Sequence, residues 1–484
     1  MAAIYLTSGA YQSSSVIANC QRCVNLFLEG NPEKTKPPAP TTHYVRPGKV
    51  TLGTPAAPGL ARGLYAASNG KLYAVVGNNV YYIDPGWQFN LLGTIGAGTS
   101  VVSMADNGEF AGNDLVLVDG TTNGYVITMS TNAFAPVVDP TGLFTGSDVV
   151  RFIQTFFLFN KTGTQNWYIS LSDDIAFNAL DIAAKASYAD NIITIGVRQR
   201  EVWLIGSLTT EPWSLTGAAD FPFEAIPSTF VTHGILNAQS LVNADTKLFW
   251  LSNNLQGKAM FFSTEGYEVK RISHHGIEQI VQNFNSPGDC VSSTYQQDGH
   301  TFVVWSFPTD DMTLVYDLAT EQWAQFAWTD GNGVLRRDRT VFYANAYGKT
   351  VGIDWETGEL VEIDSDTYQD NDGTAITCIR GFPHVLNEMK RLTHNSCTVD
   401  VECGTITDPD RDPIMNLRYS DNRGQSFSQT LQTSMGMTGE YDISPPPQFN
   451  NLGMARDRVY EVFWAEKMKT ALNAVYIEVE EAES

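Results

Sequence analysis

Apolar and polar positions come in short bursts along most of the chain, separated by Gly, Asn and Asp. From Leu64 onward an apolar run, a turn and a second apolar run recur. Leu64–Ala67, the turn Asn69-Gly70 and Leu72–Val76 predict a hairpin, because Asn-Gly readily adopts the positive backbone angles of a tight two-residue turn. Gly77-Asn78-Asn79 then leads to Val80–Ile83, and the unit closes near Leu91-Leu92.

Six more stretches carry the same texture: Val101 to Val138, Val149 to Ile182, Ile192 to Ile226, Ser240 to Ile272, Val291 to Phe326 and, more weakly, Val341 to Ile363. Their starts lie roughly 37 to 53 residues apart, and about four short strands per unit at that period is the signature of a β-propeller. One blade cannot bury both of its faces, whereas a ring of blades can. The expected fold is therefore all-β, a β-propeller of about six or seven four-stranded blades over residues 51–370, with one blade open to being shared by the two ends of the domain.

Residues 1–50 read differently. Ser13-Ser14-Ser15 is polar, Pro37-Pro38-Ala39-Pro40 is stiff and extended, and Pro32, Pro47, Pro55 and Pro58 continue the pattern. An extended N-terminal arm lying on the surface or on a neighbour is expected, and trimming it should harm assembly more than folding. Asp364 to Asp372 reads as an acidic linker. Residues 371–484 read as a C-terminal β-rich region with strands at Ala375–Gly381, Thr398–Cys403, Asn416–Ser420, Val459–Trp464 and Ala474–Glu480. Helix is scarce, and Ala176–Ala189 is the one short candidate.

Composition narrows the function. The chain has 484 residues, with 30 Lys+Arg against 53 Asp+Glu and a net charge of -23. Nucleic acid is held mainly by neutralising phosphates, so this balance argues against a DNA-gripping protein. A like-charged wall can still surround DNA without sticking to it; the plainer role of the charge is solubility. Met1–Val16 lacks the features of a signal peptide, no apolar run is long enough for a membrane span, and the six cysteines are expected as reduced thiols.

Each candidate motif has a structural reading that outweighs its chemical one. Ser420-Asp421-Asn422-Arg423-Gly424-Gln425-Ser426-Phe427 resembles the Asp-box, a hairpin turn in which a short polar side chain bonds local backbone. Cys20-x-x-Cys23 could be half of a zinc site or a redox pair, but zinc needs four ligands and no second pair follows at matching spacing. Asp408, Asp410 and Asp412 alternate like a calcium loop, yet the sixth and twelfth positions hold Pro413 and Tyr419 instead of Gly and Glu. His274-His275 and His300 stand without any nucleophile elbow or metalloprotease motif. Adjacent histidines on a strand would point to opposite faces. Asp317–Trp323 and its echo Asp354–Leu360 read as blade-hairpin turns, with Trp323 in the core. No residue emerges as catalytic, cofactor-binding or metal-binding, no cofactor is expected, and the protein is read as a non-enzyme.

Several stretches together resemble one family, in its order. Cys20-Gln21-Arg22-Cys23-Val24-Asn25-Leu26-Phe27-Leu28-Glu29 resembles the "Arg-x-Val-Asn-Leu-Tyr-x-Glu" opening of the packaged-DNA-stabilisation, or tail-hub, proteins of short-tailed phages. Leu52-Gly53-Thr54-Pro55 with Pro58-Gly59-Leu60 follows, then Glu211-Pro212-Trp213 with Gly217–Phe223. Asp245–Leu251, Gly266-Tyr267, Arg271-Ile272-Ser273, Gln297–His300 and Met454–Glu461 before Trp464 continue the likeness. The resemblance implies a structural virion protein of the tail, assembled in the host cytoplasm. It would form a ring, a homo-hexamer, below the portal and its head-tail adaptor proteins. There it would extend the DNA channel, meet a tail needle or fibre/tailspike proteins, and help retain packaged DNA until ejection, with DNA passing without sequence-specific binding. The alternative of another class is a propeller glycosidase or glycan-binding module acting on host surface sugar. Such an enzyme needs two carboxylates facing each other across a sugar.

Overall fold

The computed structural model describes residues 4–5, 11–13, 15, 17–30, 41–108, 112–218, 220–253, 258–406, 408–443 and 445–482. Pro32 and Pro37-Pro38-Ala39-Pro40, together with Ser14, Val16 and Ala219, lie outside them. Among the described residues the chain forms a ring of seven four-stranded blades and a β-sandwich. Blades 1 to 4 span Ala61 to Thr94, Ser103 to Pro136, Val150 to Ala184 and Ile192 to Ala225. Blade 5 runs from Gly234 to Arg271, its inner edge split into two short strands, and blade 6 from Val291 to Thr329. Blade 7 takes three strands from Thr340 to Asp364 and its fourth, Gly48–Gly53, from the other end of the domain.

The apolar runs are near-continuous because each second strand is covered on both faces, and the pleat sorts its side chains between two neighbours. In Leu72–Val76, Leu72, Ala74 and Val76 face blade 7, while Tyr73 and Val75 face blade 2. Val202 and Leu204 face blade 3; Trp203 and Ile205 face blade 5. Phe302 and Val304 face blade 7; Val303 and Trp305 face blade 5. Seven such inter-blade cores close the ring. Filling one with a buried Trp or Phe contributes about 1.5–3 kcal/mol per side chain.

The sandwich draws on both ends of the chain. One sheet orders Leu26–Gly30, Thr41–Val45, Ala471–Glu481, Leu392–Val401 and Gln448–Asn450. The other orders Cys23–Val24, Cys378–Gly381, Asp457–Trp464, Ile414–Ser420 and Leu431–Ser434. Leu26, Cys397, Val399, Leu417, Tyr460, Trp464 and Ile477 fill the space between them. Val24 also pairs in parallel with Gln325 of blade 6, so the second sheet runs on into the propeller without a break.

The N-terminal arm is extended, but its strands belong to the propeller and the sandwich, and Gly48–Gly53 crosses the expected boundary at residue 50. The five expected C-terminal strands are present, several of them longer at one end. Helix lies elsewhere than expected. Within Ala176–Ala189, Ile182–Ala184 pairs with Asn166–Tyr168 as the outer strand of blade 3, and Phe177 packs on Tyr168, so tertiary pairing overrides the alanine-rich propensity. The one α-helix among the described residues is His275–Gln282, between blades 5 and 6.

Candidate functional site

The motif residues fold into turns and caps. In Ser420–Phe427, Asn422 Oδ1 accepts from Ser426 N at 2.9 Å and Ser420 Oγ accepts from Gly424 N at 2.8 Å. Phe427 lies under the Arg418 guanidinium at 4.7 Å, which makes the segment a packed hairpin turn. His274 is the N-cap of the helix: its Nδ1 accepts from Ile277 N at 3.4 Å, and its ring lies 4.9 Å from that of Tyr11. His275, the first helical residue, is 83% exposed beside Glu278. The two histidines are therefore parted by a helix start, and not by the pleat of a strand.

His300 is buried against Asp317 at 2.8 Å, and Asp317 also accepts from Ala319 N and Thr320 Oγ1. Trp323 donates to Ile272 O and stacks on Trp305 in the core between blades 5 and 6. Burial, with Glu461 and Asp457 nearby, pushes the Cys20 thiol up to about 11, and burial raises Cys23 as well. Both are thus protonated thiols in the metal-free protein, the wrong form for nucleophilic attack. Asp408, Asp410 and Asp412 sit in an exposed loop where Asp408 Oδ1 accepts from Asp410 N and Asp412 from Ser434 Oγ.

Two constructions stand out from this background. The first is a buried ionic junction where arm, blade 7 and the residues after it meet. Arg46 donates to both Asp370 oxygens at 2.8 Å, Lys49 reaches Asp338 at 2.7 Å and Asp370 at 3.0 Å, and all four side chains are 3% exposed or less. Burial alone would raise the Asp370 carboxyl, but Arg46 and Lys49 hold it below the usual range. Asn25, at φ 56°, spends its whole amide here: Nδ2 donates to Ala327 O and Thr377 O, and Oδ1 accepts from Arg46 Nε and Ala327 N. The stretch read as an acidic linker is therefore pinned at Asp370.

The second is a cavity of about 820 Å³ on the ring axis, at the end where each blade's first strand begins. Loops from all around the ring line it, among them Ser100, Asp119, Gly163, Asn237, Asp289 and Arg337. Asp119 is neutralised by Arg62 at 3.1 Å, and Asp148 accepts from Asn160 Nδ2 at 2.7 Å. Arg337 lies over the Trp355 ring at 3.7 Å. In the sequence Arg337 sits in the run Arg336-Arg337-Asp338-Arg339, which resembles a solvated charged loop; its one signal is the Asp330-Gly-Asn-Gly333 turn that folds the run inward. No three His, Cys, Asp or Glu side chains converge as a metal site among the described residues.

Comparison with known proteins bears on this architecture. Residues 31–368 match the family model described as "Bacteriophage P22 Gp10, beta-propeller". The tail hub protein gp10 of Salmonella phage P22 is 26% identical over 274 residues, a stretch that takes in 54% of this chain and 56% of that protein. The match thus spans little more than half the length of its relative. Solved propellers resemble the chain more distantly. The WD40 domain of Doa1 is 9% identical, with 65% of this chain and 96% of that one covered at a TM-score of 0.39. The Cps50 (Swd1) propeller of Myceliophteria thermophila is 8% identical, with 65% and 99% covered at 0.43. The ring of seven blades, closed by an N-terminal strand, is the stretch that the family model covers, and this chain belongs to that P22 Gp10 β-propeller family.

Proposed function

We propose that this chain is a structural tail hub of a short-tailed phage and not an enzyme. The observation that carries the reading is the family match across residues 31–368, joined to a relative named as a tail hub protein. In this reading six copies form a ring below the portal and adaptor, extend the DNA channel, meet a needle or tailspike, and help hold packaged DNA until ejection. The chain is then a virion protein, assembled in the host cytoplasm.

Size supports a channel built between copies. The axial cavity, at about 820 Å³, has the volume of a small-ligand site, roughly 300–1,000 Å³. It cannot thread a duplex whose major groove alone is about 12 Å wide. A DNA path must therefore run outside any single propeller, along a shared axis, and head-to-tail contacts close into such rings. The net charge of -23 suits a wall from which phosphate is repelled.

The test is to assemble particles with and without this chain. Particles lacking it should fill with DNA and then lose it to added nuclease, and complete particles imaged by electron microscopy should carry a ring of six copies below the portal. Nuclease-resistant, infectious particles without the chain would overturn the reading.

A further inference from the structure

Three polar groups lining the axial cavity lack the partners that buried polar groups normally have. Arg337 is only 7% exposed, yet its guanidinium makes no hydrogen bond or ion pair with any described residue; it rests on Trp355 and faces the cavity. Trp355 Nε1 and Asp289 Oδ1 are buried and unpartnered, and both residues line the same cavity. Several other buried cations meet carboxylates, Arg46 and Lys49 at Asp338 and Asp370, Arg62 at Asp119 and Lys185 at Asp190, and buried Arg380 donates to the Arg22 and Gly381 carbonyls. Burying a cation without a bonded partner is costly, and Arg337, which feels the charges of Asp311, Asp289, Asp354 and Glu356 but bonds none of them through its guanidinium, has donors left to give.

We propose that the axial cavity is a carboxylate-binding site that takes an acidic side chain or chain end of a polypeptide, with Arg337 as its anchor. A guanidinium presents paired N–H groups that match a carboxylate edge, and here the Trp355 ring fixes its plane. Trp355 Nε1 is a second donor, and Asp289 Oδ1 is positioned to accept from a backbone N–H of the bound segment. The rest of the lining is mixed, with Val101, Ile192, Leu236 and Phe342 beside Thr121 and Gln239, which suits a peptide with both apolar and polar atoms. A sugar acid is the weaker fit: the Trp355 face on which a sugar would stack is covered by Arg337. Strong polyanions are disfavoured by Asp148 and Asp289. This inference does not depend on the tail-hub reading.

The experiment is calorimetric titration of the full chain with the capped tripeptide acetyl-Gly-Glu-Gly-amide, its Gln counterpart, glucuronate and glucose. The Glu peptide should bind saturably and the Gln peptide about tenfold or more weaker. Arg337→Gln should lose the Glu preference while keeping the parent melting temperature. Should Arg337→Gln fail to fold, Arg337→Lys serves instead: it keeps the charge but loses the paired N–H groups, and it should narrow the preference for the Glu peptide over the Gln peptide. Equal binding of the Glu and Gln peptides, no binding of either at millimolar concentration, an unchanged preference in the variant, or binding of the sugars in preference to the Glu peptide would each overturn the proposal.

Discussion

Asp354 accepts backbone hydrogen bonds from Glu356 and Thr357, and the same short-range device recurs at Asp84, Asp139, Asp317, Asp330 and Asp364. These carboxylates therefore work locally, and backbone amides, led by Gln88 at Asp84 and Val334 at Asp330, hold the Asp84 and Asp330 carboxyls below their usual range. Histidine behaves in the opposite way. His394 is buried in the sandwich with its Nδ1 on the Tyr460 hydroxyl; burial, and then the Arg458 charge, pull it from 6.5 down to about 4, against a smaller opposing pull from Asp421. The unfolded chain takes up this proton near pH 6.5, while the folded chain resists until about pH 4. Stability contributed by the neutral ring is thus whole above pH 6.5 and is lost as pH falls toward 4, by about 3 kcal/mol in all. Denaturant titrations at pH 7 and pH 5 should show most of this loss, and His394→Gln should lessen it, leaving the part due to His43, His233 and His274, which burial also lowers. An equal loss in parent and variant would refute the assignment.

Strand Gly48–Gly53 closes the ring by pairing with Leu360–Asp364, and it leaves no room for a side chain at its start: a Cβ on Gly48 would lie 2.2 Å from Thr367 O. Removing residues 1–50 takes half of this strand, the sandwich strands Ile4–Tyr5, Cys23–Val24, Leu26–Gly30 and Thr41–Val45, and Arg46 and Lys49 from the ionic junction. Asp338 and Asp370 are then left buried without cations, which costs about 3–5 kcal/mol for each broken pair. The truncated chain should fail to fold, as judged by loss of its cooperative melting transition, whereas a surface strap would have left the propeller intact. Blades were legible in the sequence because Leu115–Val118, Phe156–Phe159 and Lys247–Leu251 carry their burial locally, in strands covered on both faces. The weave of the arm was not, because Val24 with Gln325 and Gly53 with Leu360 pair across some 300 residues. Helix His275–Gln282 was hidden by Gly276, whose missing side chain admits Gln12 O: a Cβ there would lie 1.9 Å away. The ionic junction gave no signal, since Arg46 and Lys49 stand in a Pro-rich stretch like any solvated cations.

At the scale of the molecule, the continuous sheet from blade 6 into the sandwich and the shared arm make propeller and sandwich one structural unit. Heating the whole chain should give one transition with matching calorimetric and van't Hoff enthalpies, as for a single domain. Two resolved transitions, or a folded product from residues 51–370 alone, would show that the two parts stand independently. The ring closure also has a consequence in time. Gly48–Gly53 leaves the ribosome early, but its partner Leu360–Asp364 follows about 300 residues later. At roughly 5–20 residues per second the nascent ring stays open for about 15–60 s. During that interval blade 1 has no blade 7 beside it, and the strand that will close the ring is an unpaired edge, open to a neighbouring nascent copy. Slower synthesis should therefore lengthen the interval in which a strand can be borrowed from another chain, and more strand-exchanged dimers on size-exclusion chromatography after slowed translation would show it.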